Sequence, residues 1–160
     1  MVQLRSFIGT AVFCAVVAFL TAQVHAGFML MFVAPFLAIW LLYSIYIAVK
    51  QPVRRRTQSI KAGLWLVMVV GVLLTHWHYH RAARGAADNA VGSVLRYRAS
   101  HGAFPESLEA AGVHGLRKDW RVMYLRRKDG RPILFYPATF VAFDKYWYDF
   151  EDRSWVYQPD

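Results

Sequence analysis

The sequence predicts a membrane α-helical part with three transmembrane helices, followed by a small α+β domain in which a long helix packs on an antiparallel sheet of about four strands. Long apolar runs dominate the first half of the chain, and no acidic residue occurs before Asp88. After Gly115 the apolar residues change from helical spacing to the alternation that is typical of β-strands. We therefore expect a transmembrane region over residues 1–80 and an α+β domain over residues 81–160.

The composition is that of a membrane-embedded chain. It is 57% hydrophobic and 18% charged, whereas about 25% charge is usual in soluble domains. The net charge of +9 comes mainly from six basic residues before His80 that no acidic residue balances. Because these charges flank the apolar runs, they do not predict a nucleic-acid partner. The single cysteine, Cys14, excludes an intrachain disulfide.

Three apolar runs are candidates to cross the membrane: residues 7–24, 28–49 and 62–79. A span needs about 20 apolar residues. A cleaved signal peptide is the alternative for the first run, although the apolar stretch of a signal peptide is usually shorter. None of the runs contains Asp, Glu, Lys or Arg, which counts against an ion or proton pathway.

The second run carries an aromatic stripe in which Phe28, Phe32, Phe36 and Trp40 recur every four residues. This spacing places the four rings on one face of a helix. We expect the stripe to face lipid or to pack within the helix bundle, rather than to hold a cofactor.

The segment 50–61 is predicted to be a basic cytoplasmic loop. It holds Lys50, Arg54, Arg55, Arg56 and Lys61 and no acidic residue. Short segments rich in Lys and Arg stay in the cytoplasm, so we expect a cytoplasmic N-terminus and a C-terminal domain in the periplasm of a bacterial inner membrane. Such clusters also attract anionic lipids, which makes membrane lipids the first expected partner.

The motif HWHYH ends the third run, and its members are His76, Trp77, His78, Tyr79 and His80. Trp and Tyr concentrate at membrane interfaces, and we interpret the motif as an interfacial belt. Only His76 and His80 share a helix face, at a spacing that metal sites use, so they are the alternative metal ligands. We expect no metal and no cofactor.

A long helix is predicted from Lys61 to Ser100, because no turn residue separates the third run from an amphipathic pattern. Small or aliphatic residues line one face of that pattern: Ala83, Ala87, Ala90, Val91 and Val94. Alternating segments then predict strands over residues 120–125, 132–136, 139–143, 146–150 and 154–157. Asp129-Gly130 is a hairpin turn signal between the first two of these strands.

Residues 97–112 resemble the region that follows the long helix in type IV pilins and type II secretion pseudopilins. The matching residues are Tyr97, Arg98, His101, Gly102, Phe104, Pro105, Ser107, Leu108 and Gly112. The resemblance implies a pilin-like domain over residues 81–160. It also implies calcium in a terminal loop that holds Asp144, Asp149, Glu151 and Asp152, where a solvated turn is the interpretation we favour.

The chain departs from pilins at its N-terminal end. Pilins have one span, a leader that is cleaved after Gly, and a Glu five residues into the mature chain. Here Gly27 is followed by an apolar stretch without Glu, and two further apolar runs precede the long helix. We therefore expect a membrane-fixed domain rather than a polymerising subunit.

The predicted partner-binding surface combines the basic tip of the first hairpin with two tryptophans of the sheet: Arg126, Arg127, Lys128, Arg131, Trp147 and Trp155. The alternative for the basic residues is a soluble turn that discourages edge pairing. No nucleophile motif or nucleotide loop is present, so we expect no enzyme.

We expect the domain to bind a protein partner. One role is that of an immunity protein against a secreted antibacterial toxin, and the other is that of an accessory or scaffold subunit of a pilus, secretion or biogenesis complex. A metal- or haem-handling membrane protein is the third hypothesis, and it rests on HWHYH alone.

Overall fold

The structure, a computed structural model, describes residues 2–127, 130–141 and 143–159. The chain divides into two compact units, of which the first ends at Trp77 and the second begins at His78. Unit 1 contains helices α1 (Val2–Thr21) and α2 (Leu30–Lys50), a short 3₁₀ turn at Gly27–Met29, and the first part of α3 (Pro52–His101). Unit 2 contains the rest of α3 and a sheet.

The core of unit 1 lies between α1 and α3. Cys14 and Val17 of α1 are buried together with Met68 and Val72 of α3. These four residues come from two of the three predicted apolar runs, so burial of apolar side chains between the helices holds α1 on α3.

Two helical segments of the described chain are long and apolar enough to cross a membrane: Gly27–Lys50 and α3. The apolar stretch of α1, Phe7–Thr21, is shorter. Two of the three predicted spans therefore have the length and apolarity of a membrane span in the described residues, whereas the first has a shorter apolar stretch. Helix α1 ends at Thr21, whose hydroxyl donates to the Val17 carbonyl at 2.7 Å. The chain then turns through His25, which has a φ of 70°.

The predicted loop over residues 50–61 is helical apart from Gln51, which alone separates α2 from α3. The prediction of a loop was wrong because Pro52 opens α3, and proline suits the first helical position, where its missing N–H costs nothing. Ser44 Oγ donates to Gln58 Oε1 at 3.0 Å and holds the two helices together beside this connection. Lys50 is therefore the last residue of α2, and the other four basic residues of the segment lie in α3.

Unit 2 is an α+β unit, as the sequence predicts. Four strands follow α3 and form one antiparallel sheet in the order β1-β2-β3-β4. Their bounds are Met123–Arg126 for β1, Pro132–Pro137 for β2, Lys145–Asp149 for β3 and Ser154–Gln158 for β4. Strand order follows chain order, so each strand pairs with the next one through a short connection.

The connection between β1 and β2 is the hairpin that the sequence predicts at Asp129-Gly130. Gly130 has a φ of 81°, a conformation that glycine adopts without steric cost. Its N–H donates to the Arg127 carbonyl at 2.9 Å, and the Arg127 N–H donates to the Arg131 carbonyl at 2.9 Å. Lys128 and Asp129 lie outside the described residues.

One predicted strand, over residues 139–143, is absent from the described part of that segment, where residues 139–141 and 143 form bends. The Ala138 N–H donates to the Asp144 carbonyl at 2.7 Å, and this bond closes the segment into the loop that joins β2 to β3. Thr139 is nonetheless buried. The strand prediction was wrong here because residues of a packed loop show the same apolar alternation as a strand.

The core of unit 2 lies between α3 and the inner face of the sheet. Ala83, Ala87 and Ala90 have no exposed surface, and they belong to one cluster with Leu134 and Tyr136 of β2, which are also fully buried. A stripe of alanines brings the helix backbone close to the sheet, and the large sheet side chains fill the remaining space.

We predict that Ala87→Leu destabilises the protein by about 1–3 kcal/mol, because the packed core has no room for three further carbon atoms. The exposed Ala99 provides the matched control on the same helix, since Ala99→Leu should change stability by less than about 0.5 kcal/mol. Chemical unfolding of both full-length variants in mild detergent measures the difference. Equal losses would contradict the described helix–sheet packing.

Candidate functional site

The outer face of the sheet, defined as the face opposite α3, carries an apolar row across all four strands. The register pairs Met123 with Phe135, Phe135 with Trp147, and Trp147 with Val156. Successive side chains of a strand point to opposite faces, so this row lies opposite the buried Leu134 and Tyr148. Met123 is 47% exposed and Val156 is 37% exposed.

A groove of about 850 Å³ includes part of this outer face. Its apolar lining includes Ile133, Phe135 and Trp147, and its charged lining includes four basic and two acidic residues: Arg98, Arg127, Arg131, Lys145, Asp149 and Glu151. The groove therefore combines apolar surface with a net positive charge. This combination suits a partner surface that is apolar and carries an acidic excess.

The charged residues of the groove are held in place to different degrees. The Asp149 carboxylate accepts bonds from the N–H groups of Glu151 at 2.8 Å and Asp152 at 3.1 Å, so it fixes the turn after β3. Arg98 lies over the Phe104 ring with its Cζ 4.4 Å from the ring centroid. Arg131 and Glu151 approach within 3.5 Å but remain mostly exposed, and an exposed pair of this kind contributes little to stability.

The structure brings together half of the predicted partner-binding residues. Arg127, Arg131 and Trp147 line the same groove. Arg126 is exposed at the end of β1, where it pairs with Pro132, and it is not part of the groove lining. Lys128 lies outside the described residues.

Trp155 lies on the inner face of the sheet, away from the groove. Its Nε1 donates to Asp88 Oδ1 at 2.8 Å, and the Arg84 guanidinium lies 4.7 Å from its ring centroid. Arg84 also bonds Asp88 at 3.2 Å. Trp155 therefore ties β4 to α3, and it is not positioned beside the predicted binding residues Arg127, Arg131 and Trp147.

His80 belongs to an aromatic cluster on the same inner face. Its ring centroid lies 5.2 Å from that of Tyr146 and 6.2 Å from that of Tyr136. Burial lowers the pKa of His80, and the positive charge of Arg84 lowers it further. Burial also raises the pKa of the Tyr136 phenol. Both shifts favour neutral side chains, as expected for groups that pack in a core.

His76 is buried in unit 1, where its Nε2 donates to the Thr21 carbonyl at 2.8 Å. Trp77 and His78 are exposed. The five residues of HWHYH therefore have different surroundings: His76 contacts the end of α1, whereas His80 packs against β2 and β3.

Within residues 2–127, 130–141 and 143–159, no group of three or more His, Cys, Asp or Glu side chains is arranged to hold a metal ion. Asp144, one of the acidic residues of the terminal loops, accepts a hydrogen bond from the Tyr157 hydroxyl. This bond raises the pKa of Tyr157. The carboxylate of Asp149 is engaged by backbone N–H groups of the following turn.

Sequence reasoning missed most of the apolar residues on the outer face of the sheet: Met123, Leu125, Ile133, Phe135 and Val156. The signal was present, because Asp129-Gly130 sets the hairpin and alternation then places Met123, Leu125, Ile133 and Phe135 on one face. The sequence prediction relied on the basic residues at the hairpin tip, although charged residues are common at the turn of any soluble hairpin.

Comparison with family models, with curated proteins and with solved structures gives no match for this chain. The functional interpretation therefore rests on the geometry of the two units.

We predict that His76→Ala lowers stability by about 1 kcal/mol, because it removes a buried polar contact between helices. His78→Ala, two residues away on an exposed position, is the matched control and should leave stability unchanged. Thermal unfolding of both variants in detergent measures the effect. An equal response of the two variants would show that the His76–Thr21 contact does not hold α1 on α3.

Proposed function

We propose that this protein is a bacterial inner-membrane protein whose unit 2 lies in the periplasm and binds a protein partner without catalysis. The observation that carries the proposal is the apolar row Met123–Phe135–Trp147–Val156 on the outer face of the sheet. One face of the four-stranded sheet is covered by a helix, and the other carries this partly exposed apolar row. An apolar patch of this kind is typical of a surface that binds another protein.

The chemistry of the groove indicates what the partner presents. Trp147 and Phe135 supply large apolar area, and Arg127 and Arg131 supply guanidinium groups. Aromatic residues and arginine are the side chains that contribute most to binding at interfaces. The complementary surface would be apolar at its centre and would carry an excess of Asp and Glu.

Membrane anchoring is supported by Gly27–Lys50 and α3, which are long and apolar enough to cross a membrane. We propose that α1 completes a set of three spans. The basic segment that opens α3 supports a cytoplasmic position for the α2–α3 connection. With three spans, the N-terminus is cytoplasmic and unit 2 is periplasmic.

The first role we propose is that of an immunity protein, because a single open binding face on a small membrane-anchored unit suits the capture of one toxin before it acts on the envelope. The second is that of an accessory or scaffold subunit of an envelope complex. This second role is supported by the layout of unit 2, a long helix followed by an antiparallel meander, which is the layout that the pilin resemblance implies.

We predict that a membrane-impermeant maleimide labels Ser154→Cys in intact spheroplasts and labels Ser59→Cys only after the membrane is opened. Both positions are exposed, and the native Cys14 is buried, so the background should be low. The opposite labelling pattern would invert the proposed orientation, and equal labelling of both sites without permeabilisation would contradict a span between them.

We predict that a photo-crosslinking amino acid at Val156 captures a discrete partner in cells, whereas the same group at Tyr157 does not. The two residues are adjacent in β4, both are exposed, and they point to opposite faces. The captured protein is then purified and titrated with the full chain. Trp147→Ala should cost about 2 kcal/mol or more of binding energy, which is a Kd weaker by about 30-fold.

The outcome separates the two roles. A partner that is toxic when it is expressed alone, and harmless with this chain but not with its Trp147→Ala variant, supports immunity. A partner that belongs to an envelope complex supports the accessory role. Capture that is equally efficient from Val156 and Tyr157, or binding that Trp147→Ala leaves intact, would contradict the outer face as the binding surface.

A further inference from the structure

Unit 1 contains a groove of about 610 Å³ that all three of its helices line. Gly9 and Phe13 come from α1, Phe36 and Trp40 from α2, and Trp65 from α3. The rings form a continuous wall, since Trp65 lies 5.7 Å from Phe13 and 6.2 Å from Trp40 between ring centroids. The groove is therefore a shaped aromatic surface.

The groove is open at its rim and empty beside Gly9. Phe32 and Phe36 are 69% and 75% exposed, so the middle of the aromatic stripe faces outward, whereas Trp40 packs against Trp65. A side chain built at Gly9 would meet no atom within 4 Å. In a bilayer, such an apolar concavity is filled by hydrocarbon, because water there would leave hydrogen bonds unmade.

The charges of unit 1 indicate which lipid supplies that hydrocarbon. Arg54, Lys61 and Trp65 follow one another at intervals of seven and four residues on α3, so they share one helix face. Arg55 and Arg56 point away from the centre of this stripe by roughly 100° and 160° at about 100° per residue. Arg54, Arg55 and Arg56 are all exposed.

The distances along the helix place Trp65 within reach of an acyl chain. At about 1.5 Å per residue, Trp65 lies about 6 Å beyond Lys61 and about 16 Å beyond Arg54. One leaflet of a hydrocarbon core of about 30 Å is about 15 Å thick. A lipid whose phosphate lies between the long side chains of Arg54 and Lys61 therefore places its acyl chain beside Trp65 and Trp40.

We infer that unit 1 holds one anionic phospholipid, with its phosphate headgroup on Arg54 and Lys61 and an acyl chain in the groove lined by Phe36, Trp40 and Trp65. The inference rests on the proposed insertion of unit 1 in a membrane. No acidic residue precedes Asp88, so the sequence of unit 1 supplies no carboxylate that would compete for these cations.

The test uses the full chain in phosphatidylcholine bilayers that contain a small fraction of lipid brominated on its acyl chains. Bromine quenches tryptophan fluorescence on contact. Brominated phosphatidylglycerol should quench more than the same fraction of brominated phosphatidylcholine, with an apparent affinity higher by about fivefold for each basic residue engaged. Replacing Trp40 and Trp65 by Phe should remove this selective component.

Two matched pairs of variants locate the lipid. Arg54→Gln with Lys61→Gln should abolish the selectivity, whereas Arg55→Gln with Arg56→Gln removes the same charge from other faces and should retain it. Gly9→Leu should fill the groove and reduce quenching. Gly71→Leu, at another helical glycine with open space beside it, should not.

Equal quenching by the two brominated lipids would overturn the inference, as would equal effects of the two arginine-containing pairs, which would indicate general attraction to an anionic surface. Failure of the chain to float with liposomes would overturn the proposed membrane anchoring itself. A chain that floats and shows no selective quenching would refute only the lipid site.

Discussion

The structure depends on one unbroken helix. Helix α3 runs from Pro52 to His101, and within each unit the buried core includes residues of this helix. In unit 1, Met68 and Val72 contact α1, and in unit 2 the alanines from Ala83 to Ala90 contact the sheet. The buried residues of α3 are therefore larger in unit 1 than in unit 2, where alanines leave room for the large side chains of Leu134 and Tyr136. Burial of one helix face supplies most helical stability in proteins, so the stability of α3 depends on these contacts.

Tryptophan has a different role on each face of the sheet. Trp155 and Trp147 occupy β4 and β3, and the register places them on opposite faces. The indole N–H of Trp155 donates to Asp88, and the Arg84 guanidinium lies over its ring. These contacts stabilise the packing of the sheet on α3. Trp147 lies in a groove that leaves apolar area accessible. Only the strand register places Trp147 and Trp155 on opposite faces. The number of aromatic residues in the sequence therefore does not indicate which face is exposed.

The sequence predicts the α+β order, the hairpin at Gly130 and the helical stripe from Ala83 to Val94, because each follows from local periodicity or a glycine with positive φ. The strand predicted at residues 139–143 was wrong, since the closing bond from Ala138 to Asp144 depends on where β2 and β3 pair. The helical start at Pro52 was missed because the basic residues after it suggested a loop, whereas the proline itself is a helix-start signal.

The candidate site was predicted in part. Arg127, Arg131 and Trp147 meet in one groove, but the apolar row across the strands depends on register, which no single strand segment specifies.

The uneven distribution of charge gives the two proposed binding surfaces different selectivity. Unit 1 has basic residues and no carboxylate before Asp88, so it attracts anionic groups, and lipid phosphates are the anionic groups of the proposed site. Unit 2 contains both signs, and Asp149 and Glu151 line the same groove as Arg127 and Arg131. A mixed pattern penalises any partner that places like charges opposite each other, so the proposed binding surface of unit 2 would discriminate among partners more sharply than a uniformly basic surface. Exchanging the two patterns would remove the positive charge on which the proposed membrane orientation rests, and it would leave the sheet face with a uniform attraction for any acidic surface.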